Sequence, residues 1–307
     1  MRNKRFFIIL LTGGVLMLAS HSCSTCSRQQ TAMLEDVTID LADLAIDTTF
    51  VNMAHKIFYA LPTPIEMSML IKSSGIGYQS ALLNDPSNVS KYLTNKKMAL
   101  NFGIYVADLT YAGLFDQSQT VLRYKRAVLQ LTEGLGLRSA IDPNTLQRIE
   151  ANINNKDVVL QIISDTYSSC AASLNESDRY SLTLAMLAGG WTEAMYIATS
   201  MTDESQPSNE SRMKQLVVNQ KLTYDMMWQA MSELKDTPDV SELMDEMSAL
   251  AQLFRMVSIE QTPGTVISDD EKGSVISSSA NVHHVTPELF AKIKDQIRIL
   301  RDNFIKK

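Results

Sequence analysis

Met98-Ala99-Leu100-Asn101-Phe102-Gly103-Ile104-Tyr105-Val106-Ala107-Asp108-Leu109-Thr110-Tyr111-Ala112-Gly113-Leu114-Phe115 carries a single formal charge, at Asp108. Tyr180-Ser181-Leu182-Thr183-Leu184-Ala185-Met186-Leu187-Ala188-Gly189-Gly190-Trp191-Thr192-Glu193-Ala194-Met195-Tyr196-Ile197-Ala198-Thr199-Ser200-Met201 also carries one, at Glu193. Neither stretch alternates like a half-buried strand, and neither has the charged face of a surface helix. Both therefore read as helices buried on nearly all sides. Small residues recur at every fourth position, Ala99, Gly103 and Ala107 in the first, Gly190, Ala194 and Ala198 in the second. Residues four apart share a helix face, and small ones let two axes come close. The pattern predicts two central helices that cross each other, or an equivalent neighbour, along these stripes.

Outward from this pair the chain reads as an all-α, multi-helix bundle of about ten helices. With only 12 Gly and 8 Pro against 17 Met and a 45% hydrophobic content, it suits long helices packed by aliphatic side chains better than a turn-rich sandwich. Thr63-Pro64, Asp142-Pro143, Thr237-Pro238 and Thr286-Pro287 each set a capping side chain before a proline suited to the first helical position. Thr63 with Glu66 completes a capping box, and Gly75 marks the stop of that helix. Helices are expected over 34–47, 51–60, 64–74, 89–114, 117–135, 143–153, 156–174, 176–201, 209–235, 238–259 and 287–305. One segment departs from helical periodicity. Near 264–277, β-branched alternation flanks the turn-like Asp269-Asp270-Glu271-Lys272-Gly273, which predicts a hairpin or an extended loop.

The beginning of the chain reads as an address. Arg2, Lys4 and Arg5 precede an apolar run over 6–19, followed by Ser20, His21, Ser22 and Cys23. This is the order of a secretory signal, and the run is short for a membrane span. Ser22-Cys23 resembles a bacterial lipobox, in which the cysteine is acylated and becomes the first residue. The division expected is a lipoprotein-type signal peptide at 1–22, a polar tether at 23–33 and a single helical domain at 34–307, with lipid attached at Cys23. Acyl chains add about 0.8 kcal/mol of membrane affinity per buried methylene, so two or three, palmitate among them, anchor a protein firmly. Beyond Cys23, Cys26 and Cys170 could pair, but two distant thiols make no disulfide framework, and a buried, small, apolar Cys170 is the favoured reading.

The formal charge of −6 becomes more negative once Arg2, Lys4 and Arg5 leave with the signal. Such a surface repels phosphate backbones and argues against nucleic acid as a partner. A lone carboxylate on an apolar helix must find a partner or shift its pKa, which singles out Asp108 and Glu193. Asn101, Tyr105 and Asp108 share one face and could line a pocket whose other wall is Trp191, Glu193 and Tyr196. The plainer reading pairs the acids with Arg123, Lys125 or Arg126, or leaves them exposed. Adjacent His283 and His284 cannot both face one metal from regular structure, and no glutamate stands at zinc-protease spacing from a histidine, so no metal or cofactor is assigned. Finally, Asp36, Asp40, Asp43 and Asp47 form an acidic stripe and Lys294, Arg298 and Arg301 a basic one, which predicts that the first and last helices lie side by side.

Tyr59-Ala60-Leu61-Pro62-Thr63-Pro64, Asn95-Lys96-Lys97-Met98-Ala99-Leu100-Asn101-Phe102-Gly103-Ile104-Tyr105 and Ala188-Gly189-Gly190-Trp191-Thr192-Glu193 resemble stretches of all-helical lipoproteins from Bacteroidetes-type bacteria, a family that carries no known activity. The resemblance covers most of the chain after the signal. It implies a cell-envelope location at the outer membrane, and Asp47-Thr48-Thr49 matches the short motif for O-glycosylation at Thr48 in such bacteria. The lack of an acidic run after Cys23 favours the periplasmic face. Three functions are in competition: a non-catalytic lipoprotein that binds a protein or glycan or supports an envelope assembly, a carrier of a lipid or other apolar small molecule, and a hydrolase using Asp108 and Glu193.

Overall fold

The computed structural model describes residues 77–201, 214–268 and 275–306, all within a single compact unit. The helices expected at 34–47, 51–60 and 64–74, the Thr63-Pro64 cap and the Asp36–Asp47 stripe lie outside the described residues, as do Cys23, Cys26 and Thr48.

Eight helices that can be traced end to end carry the architecture: α1 Asn95–Leu114, α2 Ser118–Gly134, α3 Thr145–Ala151, α4 Lys156–Glu176, α5 Tyr180–Ser200, α6 Lys221–Glu233, α7 Pro238–Arg255 and α8 Pro287–Ile305. Ahead of α1 runs a strap, residues 77–94, holding the 3-10 turns Ser80–Leu82 and Pro86–Lys91. The expectation of helix from residue 89 is corrected here: α1 begins at Asn95, because Thr94 takes the cap position and accepts from Lys97 N at 3.2 Å. Thr286 caps α8 in the same way, accepting from Leu289 N at 3.1 Å with Pro287 at the first helical position. Thr237-Pro238 opens α7 without a side-chain cap bond. Asp142-Pro143 does not open its helix directly. Asp142 instead holds a turn by accepting from Asn144 N, and α3 starts two residues after the proline.

Three helix ends share one device. Asp116, Gly136 and Asp178 adopt left-handed φ of 56°, 69° and 56°. The next residue then reaches back five positions, Gln117 N to Ala112 O, Leu137 N to Thr132 O and Arg179 N to Leu174 O, which satisfies carbonyls the helix leaves open. The helix expected over 209–235 is tightened at Gln220, whose amide bonds only three residues back to Val217 O, and α6 continues from there.

α1 and α5 form the centre, as their composition predicted. Nearly every apolar residue of both is buried. Their backbones touch. A Cβ built on Gly103 would lie 2.1 Å from Met186 O and 2.6 Å from Gly190 N, and one on Gly189 would lie 2.0 Å from Leu100 O. The small-residue stripe thus works through Gly103 and Gly190, but the tightest point on α5 is Gly189, outside the stripe read from the sequence. Ala107 and Ala194 are only partly buried. Around this pair α2, α4, α6, α7 and α8 pack through their apolar faces, with Val240, Leu243, Met247, Leu250 and Phe254 from α7 and Leu289, Ile293, Ile297, Leu300 and Phe304 from α8 buried.

The segment between α7 and α8 is a hairpin, antiparallel strands β1 Ser258–Ser268 and β2 Val275–His284. It is longer than the 264–277 expected from sequence and shortens α7, which stops at Arg255 rather than 259. Pairing runs from Ser258↔His284 to Ser268↔Val275 and slips between Thr262 and Thr265. Pro263, which has no N–H to give the ladder, falls in that bulge.

Candidate functional site

The two lone acids of the central helices meet. Asp108 on α1 and Glu193 on α5 are both fully buried, within hydrogen-bonding reach of one another. Their cation is Arg301, from the far end of the chain. Its Nε donates to Glu193 Oε2 at 3.0 Å and its Nη2 to Glu193 Oε1 at 3.2 Å, the two-pronged arrangement that suits a planar guanidinium. Nη2 also donates to Leu82 O at 3.1 Å, and the guanidinium lies over the Tyr196 ring, 4.6 Å from its centroid.

None of the cations expected from sequence takes this role. Lys125 pairs with Glu150 at 2.5 Å, and Arg123 Nη2 reaches Thr120 Oγ1 at 3.5 Å. Arg301, which the sequence sets in a basic stripe with Lys294 and Arg298, is 7% exposed and turned to Glu193, while Arg298 lies at the surface between Asp295 and Asp302 of its own helix. Asp36, Asp40, Asp43 and Asp47 lie outside the described residues, so the expected pairing of the termini has no described partner to set against this.

A hydrogen-bonded seam extends from the acids. Asp108 Oδ2 accepts the backbone N–H of Asn84 at 3.1 Å. The Asn84 side-chain amide donates to Tyr92 Oη at 3.0 Å and to Asn101 Oδ1 at 3.3 Å, and its oxygen accepts from Asn88. Tyr105 Oη donates to Asp85 O at 2.9 Å. Asn101 Nδ2 donates to Phe304 O at 3.1 Å, Lys97 Nζ to Asn303 O at 3.0 Å, and Tyr92 Oη to Ile305 O at 3.4 Å. The last carbonyls of α8, which have no partners within their own helix, are thereby taken up by α1 and the strap. The seam binds the strap and α1, which are consecutive, to the far end of the chain.

Burial controls the electrostatics. It pushes the Asp108 carboxyl well above the usual carboxylate range, and the neighbouring Glu193 charge pushes the same way, against the lesser pull of Arg301 and the Asn84 N–H. At Glu193 burial acts upward too, opposed by the Arg301 contact. Burial also raises the phenols of Tyr92, Tyr105 and Tyr124 and lifts the Cys170 thiol to about 12.

Of the residues expected to line a pocket, the structure thus brings Asn101, Tyr105, Asp108 and Glu193 into one seam, with Tyr196 at its half-buried margin beneath Arg301. Trp191 turns elsewhere, into an aromatic cluster with Tyr224 at 5.2 Å and Phe254 at 6.0 Å, and its Nε1 has no hydrogen-bond partner. Cys170 is fully buried and free. Asn84, Tyr92, Lys97 and Arg301 belong to the seam but were not singled out by sequence for this role. A half-enclosed cleft lies away from the seam, between α1, α2, α3 and α4, lined by Val106, Leu109, Val128, Ile163 and Tyr167 with Lys125 beside them. It holds about 30 Å³, far below the several hundred Å³ of small-molecule sites. Among the described residues no cluster of histidine, cysteine and acidic side chains could hold a metal, and no helix is long and apolar enough to cross a membrane. No family model, curated protein or solved structure matches the chain.

Proposed function

We propose that the protein is an envelope lipoprotein, tethered to the outer membrane through lipid on Cys23 and facing the periplasm, whose bundle binds a protein or glycan or supports an envelope assembly without catalysing a reaction. The reading places it with the helical lipoproteins that it resembles. The observation that carries the non-catalytic part is the sealing of Asp108 and Glu193. Both are 0% exposed, and Glu193 has both oxygens engaged by Arg301, so neither acid meets an open cleft where a substrate could reach it. Leu93, at 82% exposure, and Leu222 and Met256, both at 64%, offer apolar contacts at the surface.

Two measurements test the proposal in the native host. Growth with a labelled fatty acid should label the wild-type chain and not Cys23→Ala; equal labelling of both removes the anchor. Native mass spectrometry of the isolated protein should show a specific protein or glycan partner. A stoichiometric lipid instead supports the carrier, and hydrolysis that is lost in Glu193→Gln supports the enzyme.

A further inference from the structure

Two carboxyl groups and one guanidinium fill the centre of the seam, and their bonds are unevenly shared. Arg301 gives two N–H bonds to Glu193 and one to the Leu82 carbonyl. Asp108 receives one backbone N–H on Oδ2, while its Oδ1 receives no donor from any other group. The polar side chain it meets is Glu193. Two ionised carboxylates offer only acceptors to one another and repel, so contact between them in a buried site requires a proton. Placed on Asp108, that proton makes an O–H···O bond to Glu193 and leaves the cluster neutral, with Glu193 negative and Arg301 positive.

We propose that Asp108 and Glu193 share one proton in the folded protein, and that this proton latches the strap at Leu82–Asn84 to the core, so that the strap opens with release of the proton. Two of the bonds that hold the strap end on the cluster, Leu82 O on Arg301 and Asn84 N on Asp108. Opening the strap admits water to Asp108, which then ionises as an ordinary carboxylate.

The titratable and charged groups around the acids are Tyr78 and Tyr92 from the strap, Tyr105 from α1, Tyr124 from α2, and Arg301 and Asp302 from α8, with Tyr196 of α5 beneath Arg301. Burial raises the phenols of Tyr78, Tyr92, Tyr105 and Tyr124 and so keeps them neutral, while Arg301 stays charged. Burial and the Glu193 charge favour the protonated form of Asp108 over the range where a solvated carboxyl has already ionised. Above about pH 4 opening therefore releases a proton, and the opening constant rises tenfold per pH unit until the pH passes the closed-state pKa of the pair, where the dependence ends.

Hydrogen exchange of the Asn84 amide in the folded full chain tests the latch. Corrected for the intrinsic exchange rate, its protection in the wild type should fall about tenfold per unit above roughly pH 5, until the closed-state pKa of the pair is passed. Asp108→Asn keeps an oxygen for the Asn84 N–H and supplies an N–H toward Glu193, so its protection should be level over the same range. Infrared spectra of wild-type protein carrying carbon-13 at aspartate carboxyls should show, above roughly pH 5 where solvated carboxyls have ionised, a neutral-acid carbonyl stretch that disappears as the pH rises further. Equal pH slopes in the two proteins, or carboxylate bands alone in the labelled wild type, overturn the proposal. The infrared measurement needs no variant and decides the matter even where Asp108→Asn fails to fold.

Discussion

Gly189 and Gly190 are neighbours on one turn of α5, yet alanine at the two positions should have opposite effects. The gain in intrinsic helix preference is the same for both, about 1 kcal/mol. The space is not. A Cβ on Gly189 would lie 2.0 Å from Leu100 O and 3.0 Å from Leu100 Cα, whereas one on Gly190 meets nothing nearer than 3.4 Å. The atoms that crowd Gly189 are backbone and cannot escape by a change of rotamer. The two central helices must move apart by roughly 1 Å, loosening the contacts that flank the crossing. Overpacking of a core costs typically 1–3 kcal/mol and more where nothing can yield, so Gly189→Ala should lose about 2–3 kcal/mol net of the helix gain. Gly190→Ala should be neutral or gain up to about 1 kcal/mol. Gly103→Ala, with its Cβ 2.1 Å from Met186 O, should behave like Gly189→Ala. Urea unfolding followed by far-ultraviolet circular dichroism measures all three. Equal midpoints for Gly189→Ala and Gly190→Ala would refute the claim that backbone contact holds α1 against α5.

Arg301→Ala strands Glu193 as a buried charge without its cation and should cost about 3–5 kcal/mol, against less than about 0.5 kcal/mol for the surface substitution Arg298→Ala, both read from denaturant midpoints. Asn101→Leu removes the donor to Phe304 O and should speed hydrogen exchange in the last turn of α8 while leaving α4 unchanged. Asp116→Gly and Asp178→Gly relieve left-handed backbone at two exposed helix ends and should each raise stability by up to about 1 kcal/mol, whereas Gly136→Ala should lower it by a similar amount; a melting series showing the reverse order removes the backbone explanation. The Cys170 thiol, buried and raised to about 12, should resist alkylation at pH 8 in folded protein and react at once in denaturant.

The fold was legible where composition left one solution. Helices without a charged face have to lie inside, so composition alone places α1 and α5 at the centre, and Thr286-Pro287 marks the start of α8 to the residue. The junctions were less so. Thr94 could cap a helix or continue one, and its side-chain bond to Lys97 N decides between them only in three dimensions. β1 begins at Ser258 in a stretch whose Val257-Ser258-Ile259 suits helix or strand, so the boundary with α7 was misplaced. Of the site, the two acids were found because a lone carboxylate in an apolar helix has to be explained. Their partner was missed because pairing was sought among the cations nearest in sequence, and Arg301 lies 108 positions beyond Glu193.

The position of Arg301 on its helix shows how that partner reaches the core. At about 100° per residue, Ile293, Ile297, Leu300 and Phe304 centre the buried face of α8, with Arg301 roughly 70° to one side and Arg298 roughly 130° away. Lys294, Arg298 and Arg301 do share a stripe, as their spacing implies, but the stripe is oblique to the core, and only its last member lies near enough for a long side chain to turn inward. A boundary position lets the aliphatic stem pack against the apolar face while the head group reaches Glu193, Leu82 O and the Tyr196 ring. Lysine there could not grip both Glu193 oxygens and the Leu82 carbonyl in one plane, so the seam depends on arginine in particular. The same geometry explains why the acids lie on the two most apolar helices. A charge pair on the two central helices gives α8 and the strap one place where Arg301 and the Leu82 carbonyl find their partners, and any other docking leaves Glu193 buried without its cation.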